Sequence, residues 1–142
     1  MNWLITSIFL TLTMTKTELV PVTIQVTNIR NNEGTIRIGV FKDNESFQSE
    51  QPIQYIFIEK TDLENGYVST TIELQVGKYG LSLIDDENDN HALDYNWIGI
   101  PKEGFGFSNF DEMIFSKPHF RKFEIEILPD QENQVEMKVR YL

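Results

Sequence analysis

Alternation of apolar and polar residues with a period of two recurs from Val22 to the last residues, and no helical period is sustained over ten residues. This pattern constrains the chain more than any other feature it carries. Val22, Ile24 and Val26 alternate with Thr23, Gln25 and Thr27, and Thr35 to Asp43 alternates in the same way after the turn residues Asn31-Asn32-Glu33-Gly34. The two segments are predicted to form a hairpin of adjacent antiparallel strands. Ile53 to Glu59 is short and rich in β-branched and aromatic residues, and Asn65-Gly66 marks a turn before Tyr67 to Val76, so a second pair is expected there. Gly77 turns the chain into Lys78 to Asp85, where Tyr79, Leu81 and Leu83 share a face. Phe123 to Asp130 and Asn133 to Leu142 close the series, joined by a Pro129-Asp130 turn.

About seven strands separated by turn signals specify an all-β fold, an antiparallel β-sandwich. Its predicted core is Ile24, Val26, Ile38, Val40, Phe57, Ile72, Leu81, Leu83, Ile125 and Val139. Asn44 to Pro52 is polar around the single anchor Phe47 and reads as a loop or one helical turn.

The chain has 142 residues, enough for one domain. With 12 basic against 22 acidic side chains its net charge is −10, which repels phosphate backbones and excludes nucleic acid as a partner. There is no cysteine, hence no disulfide and no thiolate chemistry. The apolar run from Trp3 to Met14 is shorter than the ~20 residues of a membrane span and reads as the core of a signal peptide over 1–17, leaving 18–142 as one mature domain without a membrane span. No Lys or Arg precedes the run and no small-residue cleavage pattern follows it, so a buried first strand is the alternative.

Ile84 to Phe110 fits neither periodicity and is dense in chemistry. Asp86, Asn88, Asn90 and Asp94 place oxygen ligands at relative positions one, three, five and nine of a calcium loop, with the Ala92 carbonyl at seven and Leu93 turned into the domain. Two positions depart from that pattern. His91 stands where a sharp turn favours Gly, and Trp97 stands where a bidentate Glu is usual, so the last ligand would come from Asp85 or Glu103. Two carboxylates and two amides imply weak, extracellular-type affinity, roughly 10⁻⁴ to 10⁻³ M. The alternative is a turn in which Asp and Asn bond back to their own main chain. In Gly99 to Asn109, the aromatics either cover the end of the sandwich or, with Trp97, Phe105 and Phe107 exposed, form a platform for a glycan or peptide.

The D-E-N-x-N-x-x-L-D run from Asp86, followed by G-I-P-K-E-G-F-G-F-S-N over Gly99 to Asn109, resembles an uncharacterised bacterial family, domain of unknown function 2141. The resemblance covers about Val22 to Leu142. It implies an exported β-sandwich akin to transthyretin-like and carboxypeptidase-regulatory-like domains, with no established activity and no catalytic residues to carry over. The family's loop has Gly where this chain has His91.

No catalytic set emerges from the residues themselves. His91 and His119 lack the spacing of metal ligands on one face, and Ser108 lacks a nucleophile elbow. The expected protein is a non-enzymatic structural or interaction module of the cell envelope, periplasmic, outer-membrane-associated or extracellular, with calcium as its candidate ion and an envelope protein or glycan as its candidate partner.

Overall fold

The computed structural model describes residues 17–142; the leader expected over 1–17 falls outside these apart from Thr17. Eight strands are present among the described residues: β1 (Leu19–Thr27), β2 (Thr35–Phe41), β3 (Gln54–Glu59), β4 (Val68–Gln75), β5 (Gly77–Asp86), β6 (Gly104–Phe107), β7 (Glu124–Ile127) and β8 (Asn133–Lys138). They form a sandwich of a three-stranded sheet, ordered β4-β1-β8, and a five-stranded sheet, ordered β3-β2-β5-β6 with β7 also pairing β5.

The predicted hairpins do not form. β1 pairs with β4 (Val22 opposite Ile72) while β2 pairs with β3 and β5, so β1 and β2 belong to opposite sheets, as do β3 and β4. An alternating pattern states which face of a strand is buried, and facing a partner across the sandwich satisfies it as well as lying beside one. The Pro129-Asp130 turn does join the last two strands, but it carries the chain from one sheet to the other, with Asp130 in a left-handed conformation (φ 57°). β8 then lies parallel to β1, Ile24 opposite Val135, an exception to the antiparallel plan that a crossover connection permits.

The inner faces of both sheets fill the main core. Ile24, Val26, Ile38, Val40, Leu81, Leu83, Ile125 and Val139 are buried as expected, and Ile72 is half-buried against them. Phe57 is a correction. Ile56 and Ile58 take the inward positions of β3, which leaves Phe57 on the outer face, 51% exposed and opposite Arg37.

A second cluster covers one end of the outer face of the five-stranded sheet: Phe41, Phe47, Phe107, Phe120 and Phe123. Phe47 meets Phe41, Phe107 and Phe123 edge-on, its centroid 4.8 Å from that of Phe123, an arrangement that pairs positive ring edges with negative faces. Phe47 reaches the cluster from a five-residue helix, α1 (Asn44–Gln48), capped by Asp43, whose carboxylate accepts the Ser46 N–H at 2.8 Å. Gly80 on β5 leaves room for the cluster, since a Cβ there would sit 2.6 Å from atoms of Phe120 and Phe123.

Candidate functional site

The 86–103 loop leaves the end of β5, and its base is anchored on every side. Asp85 points inward, where its carboxylate pairs with the buried Lys60 ammonium and accepts a hydrogen bond from the Tyr141 hydroxyl at 2.5 Å. Burial first, and the adjacent Asp85 second, push the Tyr141 hydroxyl well above its ordinary range. Asp85 is thereby removed from the set of possible loop ligands. On the outside Arg30 donates two hydrogen bonds to Glu87, at 2.6 and 2.8 Å, and this guanidinium holds the Glu87 carboxyl below the usual range. Beneath, the backbone of Gly34 (φ 65°) presses on the loop so closely that a Cβ would fall 1.9 Å from the Asp86 carbonyl oxygen.

The four predicted side-chain ligands are brought together, though in a self-bonded form. Asp86, with no solvent exposure, accepts the N–H groups of Asn90 (3.1 Å) and His91 (2.8 Å). Asn88 accepts the Asn90 N–H and Asn90 accepts the Ala92 N–H, two successive Asx turns. Both amides also donate to a single atom, Asp94 Oδ2, at 2.7 and 2.8 Å. His91 has φ 62°, the left-handed conformation that Gly would supply at this point, so the turn survives the substitution. Leu93 differs from expectation: it lines an outer cleft and belongs to neither core cluster.

Glu103 closes the loop. Its carboxylate accepts the N–H groups of Glu87 (3.2 Å) and Asp94 (3.1 Å) and is only 5% exposed. Burial chiefly, with the nearby Asp94 and Asp86 charges, raises its pKa. Among the described residues no group of three or more His, Cys, Asp or Glu side chains is arranged to hold a metal ion. A calcium ion here would therefore depend on the two amides and a carbonyl as much as on carboxylates.

The second half of the loop is a small hairpin. Asn96 and Ile100 bond across it at 2.8 Å, Lys102 donates to the Asp94 carbonyl at 2.8 Å, and Gly99 adopts φ 81° at the turn. Trp97 stands at its tip, 95% exposed, and supplies no ligand at the twelfth position. The expected aromatic platform is divided: Phe105 is half-buried, and Phe107 belongs to the second aromatic cluster. The Gly104–Phe107 segment, part of the stretch expected to fit neither periodicity, is strand β6, its two glycines facing inward. A Cβ on Gly104 would lie 2.3 Å from Val139 and one on Gly106 2.6 Å from the Lys138 carbonyl.

Sequence reasoning passed over a cleft of about 540 Å³ on the outer face of the five-stranded sheet. Arg37, Tyr55, Ile84 and Phe105 are among its lining residues, together with His91, Ala92, Leu93 and Tyr95 and with Ile114 to Pro118. A signal for it was present, because Ile53 to Glu59 carries large apolar residues on both faces of a strand that needs only one for the core. The remaining candidates have local duties. Ser108 is fully buried, its hydroxyl donating to the Phe123 carbonyl at 2.6 Å and accepting the Leu81 N–H, and His119 caps a helical turn by accepting the Arg121 N–H.

Fold and site define the class: an all-β two-sheet sandwich with an acidic, self-bonded loop at one end and an aromatic cleft on its larger sheet. The chain belongs to a family of uncharacterised proteins conserved in bacteria, DUF2141, which it matches over residues 24–136. That span runs from within β1 to within β8 and includes the whole loop. No curated protein and no solved structure matches the chain. Among the described residues no helix is long and apolar enough to cross a membrane.

Proposed function

We propose that the chain is an exported structural or interaction module of the bacterial cell envelope whose 86–94 loop takes up a calcium ion. The supporting observation is the meeting of Asn88 and Asn90 on Asp94 Oδ2, with Asp86 at the root of the same turn and His91 in the conformation the turn requires. Calcium uptake exchanges the two amide-to-carboxylate hydrogen bonds for ligation by amide oxygens, Asp86, Asp94 and the Ala92 carbonyl. Glu103, held against the loop and close to both aspartates, supplies further negative charge. Giving up existing hydrogen bonds keeps the affinity low, which suits an extracellular compartment rich in calcium.

Thermal unfolding of the full chain in EDTA and across a calcium titration, with a magnesium control, tests this reading. An ion bound only by the folded state raises stability by about 2.7 kcal/mol at a hundred times its Kd. A calcium-specific rise that disappears in Asp94→Ala supports the site; no rise leaves the loop a self-bonded turn.

A second reading, a glycan- or peptide-binding module, draws on Trp97, whose ring is almost wholly in solvent at a hairpin tip. Quenching of Trp97 fluorescence by envelope glycans or peptides, absent from Trp97→Ala, would support it.

A further inference from the structure

The cleft on the five-stranded sheet holds the cations Arg37 and Lys117 in a protein whose net charge is −10. Arg37, which projects from β2 onto the outer face, is half-buried, with its guanidinium 5.4 Å from the centroid of the Tyr55 ring. Among the described residues no carboxylate pairs with it and no group accepts a hydrogen bond from it, whereas Arg30 is held by Glu87 and Arg140 by Asp111. Lys117 and His91 also line the cleft. The carboxylate side chain among the lining residues, Glu50, is 82% exposed and already paired with Lys117 at 3.2 Å. A planar cation with five donors, near an aromatic ring and without a counterion among the described residues of a chain of net charge −10, marks an anion-recognition position.

The rest of the cleft sets the other half of the ligand. Tyr55 offers flat apolar surface next to Arg37, Phe105 lies two strands away across Ile84, and the volume of about 540 Å³ falls in the range of small-molecule sites. We propose that this cleft binds a small organic anion, a carboxylate or sulfonate carried on a flat apolar body, with the anionic group on Arg37 and the body against the cleft aromatics. The site is separate from the calcium reading and does not depend on it.

Two fluorescent probes that share a ring system test the assignment: anilinonaphthalene sulfonate, which carries the anion, and N-phenylnaphthylamine, which lacks it. Both are titrated into the full chain in EDTA, so that loop-bound metal plays no part, with near-ultraviolet circular dichroism to verify native packing. The expected result is saturable one-site binding of the sulfonate, about tenfold tighter than the neutral probe. Arg37→Gln should remove that preference while leaving the neutral probe unchanged, and Arg37→Lys should restore part of it. Equal affinity for the two probes in the unaltered protein, no saturable binding, or an undiminished preference in Arg37→Gln would each overturn the proposal, and the first two require no variant to fold.

Discussion

The Lys60 ammonium and the Asp85 carboxylate form an ion pair whose side chains are 1% and 0% exposed, directly beneath the point where β5 becomes the acidic loop. Lys60 also donates to the Glu33 carbonyl, and Asp85 accepts from Tyr141, so each charge is compensated twice. Removing one partner strands the other charge in a dry interior, and Asp85→Ala or Lys60→Met should each cost about 3–5 kcal/mol in chemical denaturation. The double variant Lys60→Met/Asp85→Leu should be more stable than either single one, because desolvating a pair consumes most of its attraction. Strict additivity of the two losses would show that the pair is not coupled.

Glu103 and Glu87 should give stability opposite dependences on pH. The folded state raises the Glu103 pKa above its ordinary 4.5, so the native protein holds that proton more tightly than the unfolded chain does. Stability associated with Glu103 is complete below 4.5 and is lost as pH rises through the raised value. Glu87 is lowered by Arg30, so its contribution is present above 4.5 and is lost as pH falls through the lowered value. Denaturant melts from about pH 3 to about pH 8 should show the falling component vanish in Glu103→Gln and the rising one weaken in Glu87→Gln.

Gly34 and Gly99 both have positive φ and differ in their surroundings. A Cβ at Gly34 would overlap the Asp86 carbonyl, whereas at Gly99 no atom of the described residues lies within 4 Å. Gly99→Ala should cost only the left-handed backbone, about 1–2 kcal/mol. Gly34→Ala adds displacement of the loop root and should cost at least about 3 kcal/mol. Thermal melts of the two variants give the comparison directly, and equal losses would disprove the backbone contact.

His91 bears on the loop by conformation and by its edge contact with Phe57, ring centroids 5.6 Å apart. His91→Val combines a β-branched side chain with φ 62° and should be about 1–2 kcal/mol less stable than His91→Gly, which accepts that angle freely. If the two variants melt together, the turn has moved away from the left-handed region.

Much of the sandwich could be read from residue patterns because burial of a strand face is a local demand. Val22-Ile24-Val26 and Tyr79-Leu81-Leu83 declare their inner faces whatever they pair with. Phe57 was misassigned because both faces of Ile53 to Glu59 are apolar, and the choice of face fell to the neighbour: Ile56 and Ile58 complete the core, and Phe57 shares the outer surface with Arg37 and His91. The convergence of Asp86, Asn88, Asn90 and Asp94 was legible from spacing, since a single turn brings such positions together. The role of Glu103 was named among possibilities only, because its contact with the loop spans the whole 94–102 hairpin.

Sequence alone determined that the chain is all-β, which residues form most of the core, that Phe47 anchors the polar stretch after β2, and that residues 86–94 form an oxygen-rich turn. These follow from side-chain alternation and turn chemistry acting over a few residues. Tertiary structure alone decided which strands are neighbours, that β8 runs parallel to β1, that Asp85 is committed to Lys60 rather than to the loop, and that Arg37 has no counterion among the described residues. Each of these depends on residues distant in the chain, and an alternating pattern is equally satisfied by a partner beside a strand or across the core from it.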